Sequence, residues 1–216
     1  MFTLTGPERP PRSGGPPKQL VVILHGWGAD GANLIDLAEM FAQSLPDAHF
    51  IAPNAPQVCE VNPYGYQWFS LMDRTPQVLQ SGVKQAADTL NRFLDSRQKA
   101  MQLGNAQTAL IGFSQGTMLA LQVGLRRTPP VSCIVGFSGA VIAPEALAEE
   151  AVAKPPVCLI HGQMDEVVPY QAMVNAAQAL KEHGISVESH TRPLLGHSID
   201  MDGMEAARRF LGRHLR

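Results

Sequence analysis

Apolar and polar positions along this chain switch between two periods. Short runs that are continuously apolar or alternate with period two occupy residues 19–24, 49–52, 108–113, 132–137, 157–161 and 186–192. Segments repeating every 3.6 residues separate most of them. In the clearest of these, Leu79, Val83, Ala86, Ala87, Leu90, Phe93 and Leu94 fall on one helical face. Further helix patterns cover 33–44, 115–126, 170–183 and 202–215, the last with Met204, Ala207, Leu211 and Leu215 as its buried stripe. Strand–helix alternation of this kind predicts an α/β fold, a mostly parallel central sheet with helices on both faces, in a single domain spanning residues 1–216. In such sheets reactive groups collect at the C-terminal ends of the strands.

Two stretches fall outside the alternation. Residues 1–18, rich in Pro and Gly from position 6 onward, read as an exposed arm before the first main strand. Residues 54–76 form the longest interruption. Tyr64, Tyr66, Trp68 and Phe69 fall there within six positions, which marks a packed excursion rather than a slack linker.

Composition narrows the class. The chain has 216 residues, 45% hydrophobic and 17% charged, with a formal net charge of −2. That length can bury a full core, and that charge gives no reason to expect nucleic acid as a partner. Arg126, Arg127 and the basic residues from Arg208 to Arg216 are read as complements to helix C-terminal dipoles. Cys59, Cys133 and Cys158 show neither metal nor redox spacing, and an odd number of unpaired cysteines suggests a reducing compartment. With no continuous apolar segment near the N-terminus and no run of membrane-spanning length, the expected location is the cytoplasm, without stable membrane insertion.

The candidate chemistry begins at Gly112-Phe113-Ser114-Gln115-Gly116, at the end of the apolar run 108–113. It has the form of a nucleophile elbow, in which a sharp strand-to-helix turn holds a serine clear of the main chain. Glycines flank it where side chains would collide. The pattern is short enough to arise by chance, so its context has to carry the reading. A serine nucleophile needs a general base, and the base needs an orienting carboxylate. In a fold of this kind they follow in the order Ser, Asp, His. The run 157–161 leads into Gly162-Gln163-Met164-Asp165-Glu166-Val167-Val168-Pro169, and the run 186–192 is followed by Gly196-His197-Ser198-Ile199-Asp200. Ser114, Asp165 and His197 therefore all fall just beyond predicted strands. Ser138, in Gly136-Phe137-Ser138-Gly139-Ala140, is a rival nucleophile without the second glycine. Glu166, Asp200 and Asp202 are rival acids. His25 and His161, each before a glycine at a strand end, can equally brace loops.

Acyl transfer also needs two donors aimed at the oxyanion. The glycine-rich turn Leu24-His25-Gly26-Trp27-Gly28-Ala29-Asp30-Gly31 lacks phosphate-binding spacing. The backbone N–H groups of Trp27 and Gln115 are the candidates for the oxyanion hole.

Taken together, LHGWGADG, QWFS, GFSQG, HGQMDEVVP and GHSID resemble the phospholipase/carboxylesterase family of α/β-hydrolases, which includes bacterial carboxylesterases and acyl-protein thioesterases. The matching segments run from about residue 20 to the C-terminus. The resemblance implies a compact α/β-hydrolase fold without a large cap domain, metal or organic cofactor. It gives Ser114 as nucleophile, His197 as base and then acid, and Asp165 as orienting carboxylate. Two positions depart from the pattern: Trp27 stands where relatives commonly carry leucine, and Thr117 where a further glycine is frequent.

The expected activity is hydrolysis of carboxylic esters through an acyl-enzyme. A thioesterase or lysophospholipase is the alternative, and a non-catalytic binding module on the same fold the remote one. The expected partner is a small-molecule or acyl-chain ester, and a homodimer is the protein assembly the chain could form. Trp68, Phe69, Leu71 and Val168 are expected in the substrate pocket, with a hydrophobic plug over the sheet as the other reading of the 64–72 segment.

Overall fold

The computed structural model describes residues 4–216. Its strands are β1 (Glu8–Arg9), β2 (Gln19–Leu24), β3 (Ala48–Ile51), β4 (Gln57–Val58), β5 (Tyr66–Gln67), β6 (Thr108–Phe113), β7 (Cys133–Phe137), β8 (Val157–Gly162) and β9 (Val187–Arg192). Its helices are α1 (Leu37–Phe41), α2 (Pro76–Met101), α3 (Gln115–Gly124), α4 (Leu147–Glu150), α5 (Gln171–Glu182) and α6 (Met201–His214). Seven strands form one sheet in the order β1-β3-β2-β6-β7-β8-β9. All its pairings are parallel except that of β1 with β3. β4 and β5 make a separate antiparallel pair.

The predicted architecture is therefore the observed one, and the strand pattern explains why. Successive side chains on a strand point to opposite faces. In β2, Leu20, Val22 and Leu24 enter a core built with α2, α3 and α5, while Val21 and Ile23 enter a second core built with α1 and α6. β6, β7 and β8 divide their apolar residues between the same two cores. Both faces of the central strands are thus dry, as near-continuous apolar runs demand.

Three local expectations change. The segment before β2 is not a free arm over its whole length: Glu8↔Ile51 and Arg9↔Phe50 pair it to the edge of the sheet, and Leu4 is buried. Met1 to Thr3 lie outside the described residues. The helix predicted over 33–44 shortens to α1, because Asp30 and Asn33 accept each other's backbone N–H groups at 3.0 Å and hold a tight turn instead. The stripe from Leu79 to Leu94 belongs to a longer helix, α2, which opens with Pro76 at a position where a missing N–H costs nothing.

Cys133 and Cys158 are buried, and burial pushes both thiols up to about 12. They are core residues rather than nucleophiles. Among the described residues no helix is long and apolar enough to cross a membrane.

Candidate active site

Ser114 joins β6 to α3 with φ 55° and ψ −118°, a conformation that L-residues rarely adopt. Its neighbours show why the chain tolerates it. A Cβ on Gly112 would lie 2.3 Å from the Thr117 nitrogen, and one on Gly116 would lie 2.0 Å from the Leu24 oxygen. Only glycines let strand, turn and helix approach this closely. The turn is pinned from the next strand, since Phe137 O accepts from Ser114 N at 2.9 Å and from the Thr117 hydroxyl at 2.8 Å. Thr117 also fills the space that Gly136 and Gly139 leave open. Its departure from glycine thus packs the elbow without touching the reacting atoms.

Past the end of β8, Asp165 Oδ1 accepts from Val167 N at 2.9 Å and from Val168 N at 2.8 Å. Its Oδ2 accepts from His197 Nδ1 at 2.7 Å. Burial pushes this carboxyl up, but the His197 hydrogen bond and the two amides outweigh it and hold Asp165 below the usual carboxylate range. A proton on Nδ1 leaves His197 Nε2 free to act as a base. His161, buried under the acid turn, donates from Nε2 to Val168 O at 2.8 Å and comes within 3.2 Å of Asp165 Oδ2. The His197 ring lies 4.8 Å from that of Phe113, centroid to centroid, which sets the imidazole beside the residue that precedes the nucleophile. No hydrogen bond joins Ser114 to His197 among the described residues.

The rivals occupy other roles. Asp200 caps α6 by accepting from Gly203 N at 2.9 Å and pairs with Arg192 at 2.8 Å. Asp202 pairs with the same arginine. Glu166 is exposed. Ser138 shares the positive φ of the nucleophile, at 48°, but is buried with its hydroxyl unpartnered. His25 accepts from Ala55 N at Nε2 (3.0 Å) and donates from Nδ1 to Gly26 O (2.7 Å), so it braces a loop in its neutral form. Desolvation by burial lowers its pKa in keeping with that.

The first turn packs against the elbow, for a Cβ on Gly26 would meet the Ser114 Cβ at 3.3 Å. Among the described residues neither Trp27 N–H nor Gln115 N–H donates a hydrogen bond. The Gln115 N–H is one of the donors that every helix N-terminus leaves without an internal partner. What the sequence did not suggest is the Gln115 side chain. It is fully buried, accepts from Trp68 N at 3.0 Å and donates to Phe69 O at 2.8 Å. A glutamine beside a nucleophile carries no pattern that foretells partners some 46 residues away in an irregular segment.

Trp68 and Phe69, expected to wall the acyl pocket, are 2% and 3% exposed and packed into the α2-side core. They line a cavity of about 620 Å³ with Val78, Ser81 and Gln85 of α2, and Ser114 is not among its walls. For these two side chains the plug reading fits. Leu71 and Val168 are half-buried.

Comparison with known proteins bears on the family and the class of reaction. The family described as Phospholipase/Carboxylesterase matches residues 11–215. Esterase YpfH of Escherichia coli (strain K12) is 30% identical over 206 residues, covering 95% of this chain and 84% of that protein. Acyl-protein thioesterase 1 of Neurospora crassa is 28% identical over 212 residues, covering 90% and 86%. Among solved structures, esterase PE8 superposes with a TM-score of 0.94 at 44% identity, over 99% of this chain and all of that one. SOBER1 of Arabidopsis thaliana does so with a TM-score of 0.79 at 26% identity, over 92% and 99%.

Proposed function

The chain belongs to the phospholipase/carboxylesterase family of α/β-hydrolases and is a carboxylic ester hydrolase; from that premise we propose that Ser114, His197 and Asp165 carry out the hydrolysis. The observation that carries the proposal is the 2.7 Å hydrogen bond between His197 and the buried Asp165, next to a serine held at positive φ. Ser114 Oγ attacks the ester carbonyl while His197 Nε2 takes its proton. The negative oxygen of the tetrahedral intermediate is met by the N–H groups of Trp27 and Gln115. His197 then returns the proton to the departing alkoxide and an acyl-enzyme remains. Water, deprotonated by the same nitrogen, releases the acid and restores the serine. Asp165 holds the imidazole in the Nδ1–H tautomer and stabilises its charged form.

A fluorophosphonate probe should label the protein, with the adduct on Ser114. An adduct on Ser138, or none on folded protein, overturns the assignment. Asp165→Asn should lower kcat by roughly 10⁴-fold with the fold intact, because the amide presents the wrong partner to Nδ1.

Thioester or lysophospholipid hydrolysis is a second reading, and one observation favours it. Met164 and Val167 flank Asp165, Leu194 and Met201 flank the His197 loop, and Tyr64 and Met72 project from the 54–76 excursion, all of them exposed. Exposed apolar side chains on these loops suit a long acyl chain on a bulky carrier. Comparing short p-nitrophenyl esters with long acyl thioesters decides it: kcat/KM rising with acyl length supports the second reading, and a maximum at short esters removes it. The buried free cysteines support the cytoplasm as the place of action.

A further inference from the structure

Both residues assigned to the oxyanion hole reach the same short stretch of chain with their side chains. Trp27 Nε1 donates to Gln67 Oε1 at 2.8 Å. The Gln115 carboxamide accepts from Trp68 N at 3.0 Å and donates to Phe69 O at 2.8 Å. Three consecutive residues, 67 to 69, thus grip the two segments that carry the proposed donors. The grip is reinforced on either side. Gly28 N donates to Tyr66 O at 2.9 Å and Tyr66 N to Ala29 O at 2.8 Å, so the first turn is paired like a strand to β5. The Trp68 indole donates to His25 O at 3.0 Å. Gln67 is 2% exposed, and its Oε1 also accepts from Glu60 N at 3.1 Å.

We propose that Gln67 is a positioning residue for ester hydrolysis, fixing through the Trp27 indole the direction of the Trp27 N–H relative to that of Gln115. The proposal rests on the reading of Ser114 and its oxyanion hole given above. The direction of a backbone donor is set by whatever holds its residue in the turn, and for Trp27 that anchor is its own indole, bonded to Gln67. Trp27 precedes a glycine at φ 79°, and the turn is held on its near side through His25 and Gly26 and on its far side through residues 28 and 29; among the described residues Trp27 itself is bonded only through its indole. The amide oxygen of Gln67 is what an apolar side chain at 67 would lack, and among the described residues no other atom accepts from the Trp27 indole. An oxyanion donor contributes only when it meets the tetrahedral oxygen at hydrogen-bond distance, and losing one lowers kcat by roughly 10²–10³-fold. Misaiming one should lower it by less.

The test uses the full chain and a p-nitrophenyl ester. Wild-type hydrolysis that vanishes in Ser114→Ala upholds the site reading independently of Gln67. If Ser114→Ala stays active, that reading fails and the brace falls with it. Given a sound site, Gln67→Met should lower kcat by about 10–100-fold with KM within about twofold. Affinity for a boronic acid, which forms a tetrahedral adduct, should fall by a similar factor, while affinity for the product carboxylate stays level. Gln67→Glu keeps an acceptor for the indole and should recover most of the rate. Should Gln67→Met fail to fold, Trp27→Phe removes the same bond while keeping an aromatic ring, and should show the same split. The double variant should be no slower than the slower single one, since both act through one bond. Unchanged kcat in folded Gln67→Met or Trp27→Phe, a rise in KM alone, or additive losses in the double variant would each overturn the proposal.

Discussion

The strain at Ser114 is confined to one residue and supported from three sides. Gly112 and Gly116 leave room for the turn, and Phe137 O anchors it by accepting from both Ser114 N and Thr117. The three side chains proposed to react were legible in the sequence because each sits where a run of apolar residues stops, and strand ends are where this fold exposes its chain. The supporting side chains were legible only in part. A bracing role was open to His25 and His161 from their place before strand-end glycines, but Gln67 and the Gln115 carboxamide act through hydrogen bonds to loop residues, which leave no periodic mark. His25 shows what such support implies for pH. As a neutral brace it accepts the Ala55 N–H at Nε2, and burial lowers its pKa below the usual 6.5. The unfolded chain therefore binds a proton more readily than the fold does. This stabilisation is complete above about pH 6.5 and is lost as pH falls toward the folded value. Burial also lowers the pKa of His214, with the same sign. Urea unfolding between pH 7.5 and 5.5 should show stability falling, and His25→Gln should flatten part of that slope. An identical slope in the variant would remove His25 from the effect.

At the scale of elements, the His197 loop is stitched at both ends. Where it leaves β9, Gln163 N donates to Arg192 O at 2.9 Å and Met164 N to Leu195 O at 3.0 Å, which ties it to the acid loop. Where it enters α6, Asp200 accepts from Gly203 N and binds the Arg192 guanidinium. The sequence offered Asp200 as a rival because it lies near His197 and favoured Asp165 by position; their hydrogen bonds separate the two further. A helix cap contributes about 1 kcal/mol, and a half-exposed ion pair less than that. Asp200→Ala should accordingly reduce stability by roughly 1–2 kcal/mol while keeping kcat within about tenfold of wild type. Chemical denaturation and steady-state kinetics on one preparation would read both. A loss of activity as large as that of Asp165→Asn would transfer the acid role to Asp200. The shortened α1 carries a related lesson: its apolar spacing suggested a helix from 33, but side-chain bonds between Asp30 and Asn33 satisfied the backbone first.

Across the whole molecule, the two cores share the same central strands, so the sheet couples the α2 side to the α6 side. What the sequence concealed at this scale is how the edge beside β3 is closed. Pro and Gly between residues 6 and 18 suggested an exposed arm, and a strand of two residues is too short to show a period. Its hold comes from elsewhere. Ala52 N donates to Pro7 O at 3.0 Å and Asn54 N to Thr5 O at 2.8 Å, Leu4 is buried against the α2-side core, and Glu8 Oε2 binds His49 at 2.7 Å and Arg97 at 2.5 Å. Asn54 in turn accepts from Gly31 N at 2.8 Å, so the same segment steadies the turn that carries Trp27. Deleting residues 1–10 would expose Leu4's site, worth roughly 1.5–3 kcal/mol, and the hydrogen bonds around it. For a domain of this size the melting temperature should fall by roughly 5–10 °C. The deletion would also leave β3 as a bare parallel edge, the kind of surface that pairs with another chain. Size-exclusion chromatography should therefore show more concentration-dependent association than the intact protein does. An unchanged melting temperature would mean that β1 only lies against the sheet; a lower one without association would mean that the charged side chains along the edge suffice to keep copies apart.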